Sequence, residues 1–372
     1  MRLARWISCA TALIGAASIS SGAQARWSLV ENLRIGSEEE GPYLFSQIRG
    51  IAVGEGGSVF VLDARAQEIR LFDSQGKFVR RVARGGAGPG EIRNANGLLT
   101  APDGRVWVND PNNSRYSIFT PRGDFATQHR YSPWGFGYYW QAMFDRSGSL
   151  LEYVSVFHGN VRQAMIRRVS PDGAKVDTIA LPECANRASK EAQNGYQTQR
   201  GQVRTFFSVP FVPAPLRAWD PGGFIWCTSN DRYEILKIKL ISGDTLMRVR
   251  QDRAPIPVTD SEREAAIAPI RSAFARAGQP APDFGLIPRV KPALQNIDVD
   301  DQGRLWVRAT SNDTTRTVFE VWDGSTGRLL ANVTAPWEVG AQYRPLIRGD
   351  TLYTVITDEN DVPMVVRAII RR

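Results

Sequence analysis

The chain has 372 residues, 42% of them hydrophobic, and its 33 glycines and 22 prolines provide many turn sites. The formal net charge of +8 comes from 46 basic and 38 acidic residues. The basic residues are scattered, which argues against the basic stripe of a nucleic-acid-binding protein. Only two histidines are present, His129 and His158, so a histidine-rich zinc centre and a Ser/His/Asp triad are both disfavoured.

The first 25 residues have the pattern of a secretory signal peptide. Arg2 and Arg5 form a positively charged start, residues 6–17 are mostly apolar, and Ala23-Gln24-Ala25 is a cleavage pattern of small residues. The apolar run is too short to span a bilayer, although an uncleaved anchor is the alternative. We therefore predict a periplasmic or secreted protein with no membrane span after cleavage.

Three cysteines bear on this prediction of export. Cleavage removes Cys9, whose position fits a lipid-modified cysteine poorly, and leaves Cys184 and Cys227 in the mature domain of residues 26–372. Two cysteines in an exported chain are candidates for a disulfide. The alternative is two separate buried thiols.

A strand–turn–strand unit repeats along the chain. Its clearest copies lie at residues 46–83 and 97–130, each with four β-prone runs separated by short turns. The turn glycines Gly57 and Gly104 are 47 positions apart (104 minus 57). That period suits the four-stranded blade of a β-propeller.

Weaker copies continue in the same order toward the C-terminus. Their turns lie at 145–148, 220–223, 301–303 and 349–350. The last copy lacks an outer strand, whereas residues 27–35 (WSLVENLRI) precede the first copy with no other assignment. Pairing these two would close the ring and remove an exposed edge. The sequence therefore predicts an all-β fold, a six-bladed β-propeller closed by an N-terminal strand, with a seven-bladed ring as the alternative.

One segment, at about residues 259–277, breaks the β pattern. Thr259 and Glu262 have the spacing of a capping box, and Gly278 is a suitable stop. Pro269 predicts a kink or a second short helix. We expect a short helical insertion between blades four and five, which either caps the central channel or lies on the surface.

The two clearest copies resemble the NHL repeat. The residues that carry the resemblance are Val61-Leu62-Asp63, Ile69-Arg70-Leu71-Phe72-Asp73, Gly76-Lys77-Phe78, 85–91, Val108-Asn109-Asp110 and Ser117-Ile118-Phe119. The whole chain resembles the six-bladed propeller proteins of bacterial envelopes. This resemblance implies a fold and an export route, and no particular activity.

Acidic and amide side chains after the second strands are the candidate metal ligands. Asp63 and Asp110 hold this position in blades one and two, and Asn112 lies beside Asp110. Sugar-lactonase propellers hold a divalent cation with Glu, Asn and Asp oxygens at the channel mouth, and Ca or Mg prefers such ligands. The other residues of a lactonase site have no match here. The alternative is structural, since an aspartate after a strand caps the following turn.

An aromatic cluster at residues 131–140 leads into blade three. It includes Trp134, Tyr138, Tyr139 and Trp140. If exposed, such a cluster would bind a flat ligand such as a sugar or a peptide. The alternative is packing between blades.

Two functions are consistent with these features. The first is a monomeric binding scaffold without a cofactor, which recognises a protein, peptide or carbohydrate ligand. Its candidate polar contacts are Arg65, Asp110 and Arg115, at the end of the ring that carries the aromatic cluster. The second is a metal-dependent hydrolase or lyase that uses a single Ca or Mg ion at the channel mouth. A bound ion that is lost on chelation would favour the second.

Overall fold

Each copy of the repeat folds into a four-stranded antiparallel sheet in which consecutive strands are neighbours. The predicted turns explain this folding. In the first copy, the Asp73 carboxylate accepts hydrogen bonds from the backbone N–H groups of Gln75 (2.9 Å) and Lys77 (2.8 Å). Gly76 adopts a φ of 79°, which glycine tolerates without strain. The chain therefore reverses where the sequence predicts, and the next strand pairs with the previous one.

The computed structural model describes residues 25–39, 41–131, 140–158, 161–184, 188–313, 316–340 and 343–372. In these ranges six blades form the ring, four as separate four-stranded sheets and two joined in one eight-stranded sheet. The chain starts with β1 (Ala25–Ile35), followed in blade one by β2 (Ile48–Val53), β3 (Val59–Asp63), β4 (Glu68–Phe72) and β5 (Phe78–Ala83). Blade two has β6 (Gly97–Thr100), β7 (Val106–Asp110), β8 (Arg115–Phe119) and β9 (Phe125–Arg130), and blade three has β10 (Ala142–Phe144), β11 (Leu150–His158), β12 (Val161–Val169) and β13 (Val176–Ala180). The predicted signal peptide up to residue 24 lies outside the described residues, as do Trp134, Tyr138 and Tyr139.

The second half of the ring contains two long connections. Between blades three and four lie α1 (Lys190–Asn194), β14 (Tyr196–Arg200) and β15 (Val203–Phe207). Blade four has β16 (Pro215–Asp220), β17 (Phe224–Ser229), β18 (Glu234–Lys239) and β19 (Thr245–Arg250), followed by the helix α2 (Asp260–Arg276). Blade five has β20 (Leu294–Val299), β21 (Leu305–Ala309), β22 (Val318–Trp322) and β23 (Leu329–Thr334), and blade six has β24 (Leu346–Arg348), β25 (Thr351–Thr357) and β26 (Pro363–Arg371).

The N-terminal strand closes the ring, as predicted. β1 pairs antiparallel with β26, from Ser28 opposite Arg371 to Ile35 opposite Val365, and so becomes the outer strand of blade six. It begins two residues earlier than the sequence indicated, at Ala25. This extra length also pairs in parallel with β23, which joins blades five and six into one eight-stranded sheet. The parallel pairing was not predicted.

Alternate residues of each blade pack against opposite neighbours. In blade one, Val59 and Val61 pack in the cluster that includes residues of blade six. Phe60 and Leu62, one position along, pack in the cluster shared with blade two. This period of two is what a strand buried on both faces requires. The core therefore consists of apolar layers between blades, which hold the six inner strands around the axis.

The two long connections pack against each other. Tyr196 of β14 and Ile267, Ile270 and Phe274 of α2 belong to one buried cluster. The predicted capping box at Thr259 is present. The second short helix, predicted at Pro269 as the alternative to a kink, is wrong: one helix runs through this residue, and it has buried side chains on both sides of it. In the described part of the chain, no helix is long and apolar enough to cross a membrane.

Cys184 and Cys227 form a disulfide, with their Cα atoms 5.8 Å apart. Cys184 follows blade three and Cys227 lies in β17 of blade four. Both are buried among apolar side chains of these two blades. The bond fastens the start of the first long connection to the blade that the connection reaches.

Candidate functional site

The six inner strands surround a central channel with a volume of about 1140 Å³. Every blade contributes to its wall, and the apolar part includes Ile51, Leu98, Met143, Leu216 and Ile347. Ligand pockets for small molecules usually measure roughly 300–1,000 Å³ and combine apolar walls with a few polar groups. The channel is therefore the candidate site.

The channel wall differs in charge between its two sides. We call the side where the inner strands begin the upper side, and the side where they end the lower side. Arg49 and Arg344 line the upper side. Glu55 and Asp301 line the lower side together with Arg348, which donates a hydrogen bond to the Val53 carbonyl. The upper side is thus basic, whereas the lower side carries both signs of charge.

A polar group interrupts the apolar wall at blades five and six. Asn296 and Asp298 of β20 share one face of the blade, and Arg308 of β21 lies directly opposite Asn296. Arg344, in the connection that leads to blade six, acts on the charge of Asp298. The Asn296 Nδ2 donates a weak hydrogen bond of 3.3 Å to Asp298 Oδ2. We call these four residues the 5/6 cluster.

The Asp298 carboxyl is in an unusual electrostatic environment. Its side chain is 6% exposed, and among the described residues it forms no ion pair. Burial raises the pKa of Asp298 to about 6, against the opposing attraction of Arg344 and Arg308. Because burial disfavours the charged form, this carboxyl is protonated below pH 6 and ionised above it.

This raised pKa makes stability depend on pH. The unfolded value is 3.8, so the contribution of Asp298 is fully present below pH 4 and is lost as pH rises through 6. The difference of about two pKa units corresponds to about 3 kcal/mol. We expect the unfolding free energy of Asp298→Asn, measured relative to wild type, to be about 2–3 kcal/mol more favourable to the folded state at pH 8 than at pH 4. Urea unfolding at both pH values measures this. Asp252→Asn removes a surface carboxylate as the control, and a difference that does not change with pH would contradict the prediction.

The two aspartates proposed as metal ligands have structural roles instead. Asp63 is fully buried, and its carboxylate accepts hydrogen bonds from the backbone N–H groups of Ser46 (2.8 Å), Gln47 (3.0 Å) and Ala66 (3.2 Å). Those bonds fasten the end of β3 to the start of β2. The structure therefore favours the turn-capping interpretation over the metal-ligand one.

Asp110 has the same role in blade two. Its Oδ1 accepts from the Arg93 backbone N–H at 2.8 Å, and its Oδ2 accepts from Asn113 Nδ2 at 2.8 Å and from Arg115 Nε at 3.3 Å. The Arg115 side chain is itself buried, and its Nη2 donates to the carbonyls of Gly88 and Glu91, both at 2.7 Å. A buried guanidinium with these bonds has no free donor direction for a ligand. These bonds favour a structural role for Asp110 and Arg115, which hold the loop before blade two, and their contact with a ligand stays a prediction.

The remaining polar candidates are exposed and lie outside the channel wall. Arg65 and Asn112 belong to turns that follow β3 and β7, and neither lines the channel. Within the ranges that the structure describes, no group of three His, Cys, Asp or Glu side chains is placed to hold a metal ion.

Trp140 both lines the channel and packs between blades two and three. Its Nε1 donates to Glu152 Oε2 at 2.7 Å, and its ring stacks near that of Tyr116. Glu152 also accepts from Arg167 Nε at 2.6 Å, and the Arg167 guanidinium lies 4.6 Å above the Tyr131 ring. The packing interpretation of the aromatic cluster is therefore correct for Trp140, which in addition presents part of its ring to the channel.

The buried Glu152 should be important for stability. We expect Glu152→Ala to lower the unfolding free energy by about 3–5 kcal/mol, because it removes the carboxylate that forms an ion pair with the buried Arg167 guanidinium. The matched control in the same blade is Asp177→Ala, which breaks an exposed pair with Arg168 and should cost about 1 kcal/mol or less. Denaturant titration compares the two, and equal losses would contradict the role given to Glu152.

Sequence reasoning missed the 5/6 cluster, although a signal was present. The run Asn296-Ile297-Asp298-Val299 alternates polar and apolar residues within an inner strand, where blade one has Ile51-Ala52-Val53. A polar residue at every second position of a buried inner strand points to a shared polar face. That pattern becomes informative only when the strand is known to line the channel.

Comparisons with known proteins agree with this architecture. The family model DUF5128, described as a six-bladed β-propeller, matches residues 38–99, which lie in the region that resembles the NHL repeat. No curated protein matches the sequence. A solved structure of a DUF4221 family member from Bacteroides vulgatus is similar, with a TM-score of 0.54, 11% identity, and coverage of 94% of this chain and 99% of that one.

Two further solved structures are similar at lower TM-scores. A protein described as exported, from Bacteroides fragilis, has a TM-score of 0.49 and 13% identity, with coverage of 95% of this chain and 98% of that one. A virginiamycin B lyase from Staphylococcus aureus has a TM-score of 0.47 and 14% identity, with coverage of 92% and 99%. Identities this low concern the fold alone. From its strand order, its closure by β1 and the match of residues 38–99 to a family model described as a six-bladed β-propeller, the chain is a six-bladed β-propeller.

Proposed function

We propose that this protein is an exported, monomeric β-propeller that binds a protein segment, a peptide or a carbohydrate in its central channel. The observation that carries the proposal is the channel itself, a cavity of about 1140 Å³ to which all six blades contribute.

The aromatic side chains of the wall support a ligand with flat or apolar surfaces. Phe144, Trp140 and Trp219 line the channel from blades three and four, and Tyr343 lines it from the connection to blade six. Aromatic rings provide large contact areas for sugars and for apolar side chains. Polar groups of the 5/6 cluster provide orientation within the same cavity.

Export is supported by the disulfide and by the N-terminal sequence. The bond between Cys184 and Cys227 is typical of an oxidising compartment, such as the bacterial periplasm or the extracellular space. The predicted cleavage site follows Ala25, the first residue of the closing strand β1. The mass of the protein recovered from an envelope or culture fraction tests this part of the proposal, with a mature chain starting at Arg26 as the expected result.

Binding is favoured over metal-dependent hydrolysis because the side chains predicted to hold a metal ion already form hydrogen bonds within the protein. Backbone N–H groups occupy the carboxylates of Asp63 and Asp110, as described above. Their displacement would unfasten the inner strands of two blades. We therefore carry the scaffold forward as the proposed function.

A channel-blocking substitution tests this function. Gln295 is exposed within the channel wall, so Gln295→Trp would fill space there without replacing a core residue. The matched control is Gln75→Trp, on an exposed outer turn of blade one. We expect a panel of oligosaccharides and short peptides, measured by thermal stabilisation and native mass spectrometry, to contain ligands that bind wild type and Gln75→Trp. Binding of those ligands should fall at least tenfold in Gln295→Trp.

The opposite outcome is equally clear. If the same ligands bind Gln295→Trp as tightly as wild type, the channel is not their site. If the protein converts a bound ligand into a product, the proposed function as a binding scaffold is wrong and the protein is an enzyme.

A further inference from the structure

Buried cations in this propeller are generally paired with a carboxylate. The pairs are Arg70 with Asp63 (3.8 Å), Arg115 with Asp110 (3.3 Å), Lys237 with Asp220 (2.9 Å), Arg304 with Asp300 (2.5 Å) and Arg167 with Glu152. Each pair brings together two side chains of one blade. This pattern is expected, because an uncompensated buried charge costs several kcal/mol.

Two arginines of the 5/6 cluster, one buried and one exposed, form no ion pair with a carboxylate among the described residues. Arg308 is 4% exposed and donates from Nη1 to the Val339 carbonyl, whereas its Nε and Nη2 have no hydrogen-bond partner among the described residues. Arg344 is exposed, lines the channel, and forms no ion pair or hydrogen bond within the described part of the chain. Burial lowers the pKa of Arg308, and the nearby charges of Asp298 and Glu338 oppose that shift only in part.

The nearby carboxyls do not pair with these arginines, and Glu338, whose charge acts on Arg308, is exposed to solvent. Asp298 is close enough to both for their charges to act on it, yet it forms no ion pair with either. The cluster therefore holds two guanidinium groups and one poorly solvated carboxyl beside an open cavity. An anion entering the channel would supply the missing negative charge, and in a low-dielectric wall this attraction is stronger than in water.

We propose that the 5/6 cluster binds the carboxylate of an organic ligand, with Arg344, Asn296 and Asp298 as direct contacts and Arg308 as a positive charge behind them. The proposal rests on the channel being the ligand site, and it names the chemistry that the site selects. Arg308 is a positioning residue here, because its side chain lies behind the wall formed by the other three.

The composition of the wall favours a carboxylate over a phosphate ester. The protonated Asp298 side chain can donate a hydrogen bond to a carboxylate, whereas its ionised form repels any anion and repels a dianion most. The planar guanidinium of Arg344 matches a carboxylate with two parallel hydrogen bonds. The apolar and aromatic remainder of the channel requires a ligand with an organic body.

Matched pairs of probes test the proposal with the mature protein. The first pair is 4-phenylbutyrate and its neutral amide, and the second is galacturonate and galactose, so that an apolar acid and a sugar acid are compared separately. We expect calorimetry at pH 5.5 to show at least one acid binding about tenfold more tightly than its neutral counterpart. The pair that shows this difference identifies the source of the carboxylate.

Substitutions locate the site. Arg344→Gln should remove the advantage of the acid and leave the neutral probe unchanged. Arg328 is exposed on an outer turn of blade five, so Arg328→Gln is the control and should have no effect. Arg308→Gln should weaken the acid several-fold, and its thermal unfolding shows whether it folds. Because Arg344 is exposed, the Arg344→Gln arm decides the question even if Arg308→Gln does not fold.

The pH dependence gives a second readout. Asp298 faces Asn296 on its own strand, Arg308 on the next strand, and Arg344 from the connection to blade six. Wild type should bind the acid less tightly as pH rises from 5.5 to 7.5, because Asp298 then becomes negatively charged beside it. Asp298→Asn should abolish this dependence, which a purely structural role of Asp298 would not do.

The proposal is overturned if neither acid binds better than its neutral counterpart, or if Arg344→Gln behaves like Arg328→Gln. Either result leaves the proposed function standing when oligosaccharides or peptides still bind in a manner blocked by Gln295→Trp. Loss of that blocking effect would instead refute the channel as the binding site.

Discussion

Deletion of residues 25–35 should abolish the folded ring. This segment, β1, supplies the outer strand of blade six and is also paired with β23 of blade five. It contributes the buried side chains of Leu29 and Ile35 to two different core clusters. Truncation of one such side chain costs about 2–5 kcal/mol, and the whole stability of a domain is about 5–15 kcal/mol. Circular dichroism and thermal unfolding should therefore show no cooperative native state.

Point substitutions on the same strand test this expectation more finely. Ile35 is the last residue of β1 and is fully buried in the core cluster that blades one and six share. Ile35→Ala should therefore lower the unfolding free energy by about 2–5 kcal/mol. Ser28 is exposed on the same strand, so Ser28→Ala should change the unfolding free energy by about 0.5 kcal/mol or less. A deletion variant that unfolds at the wild-type temperature would show that ring closure by β1 is unimportant.

Loss of the disulfide should also have a large effect on stability. Cys184 and Cys227 are separated by 43 positions, and a cross-link that closes a loop of this size stabilises a protein by about 4 kcal/mol in the chain-entropy description. We expect the double variant Cys184→Ala/Cys227→Ala to lose about 3–4 kcal/mol of unfolding free energy. Urea titration measures this loss directly.

Reduction provides an independent check on that value. Dithiothreitol should destabilise wild type by a similar amount and leave the double alanine variant unchanged. Equal stability of oxidised and reduced wild type would show that the bond constrains neither the connection after blade three nor blade four. If the reduced protein is as stable as the oxidised one, the disulfide is weak support for an oxidising compartment.

The repeating pattern of strands and turns was predictable because its causes are local. The turn at Asp73 to Gly76 needs an aspartate that accepts hydrogen bonds from the backbone N–H groups that follow it, and a glycine at positive φ. Both residues are visible in the sequence. The capping box at Thr259 is likewise a contact between residues three positions apart. Closure by the N-terminal strand followed from counting strands, since a ring with a missing outer strand requires one from elsewhere.

The site could not be predicted in the same way. Asp63 and Asp298 are both aspartates in blade strands, yet three backbone N–H groups surround one and the other faces the channel with no ion pair among the described residues. What distinguishes them is which groups from distant parts of the chain lie within hydrogen-bonding distance. Arg344 comes close to Asp298 only because blade six packs beside blade five.

The sequence by itself thus determined the all-β propeller, the position of its turns and the strand that closes it, because short-range backbone preferences and period-two burial specify them. The tertiary structure alone decided that Asp63, Asp110 and Arg115 brace the inner strands, that β1 also joins blade five, and that the 5/6 cluster faces the cavity. These features depend on burial and on charge balance between residues far apart in the chain, and no local pattern records either quantity.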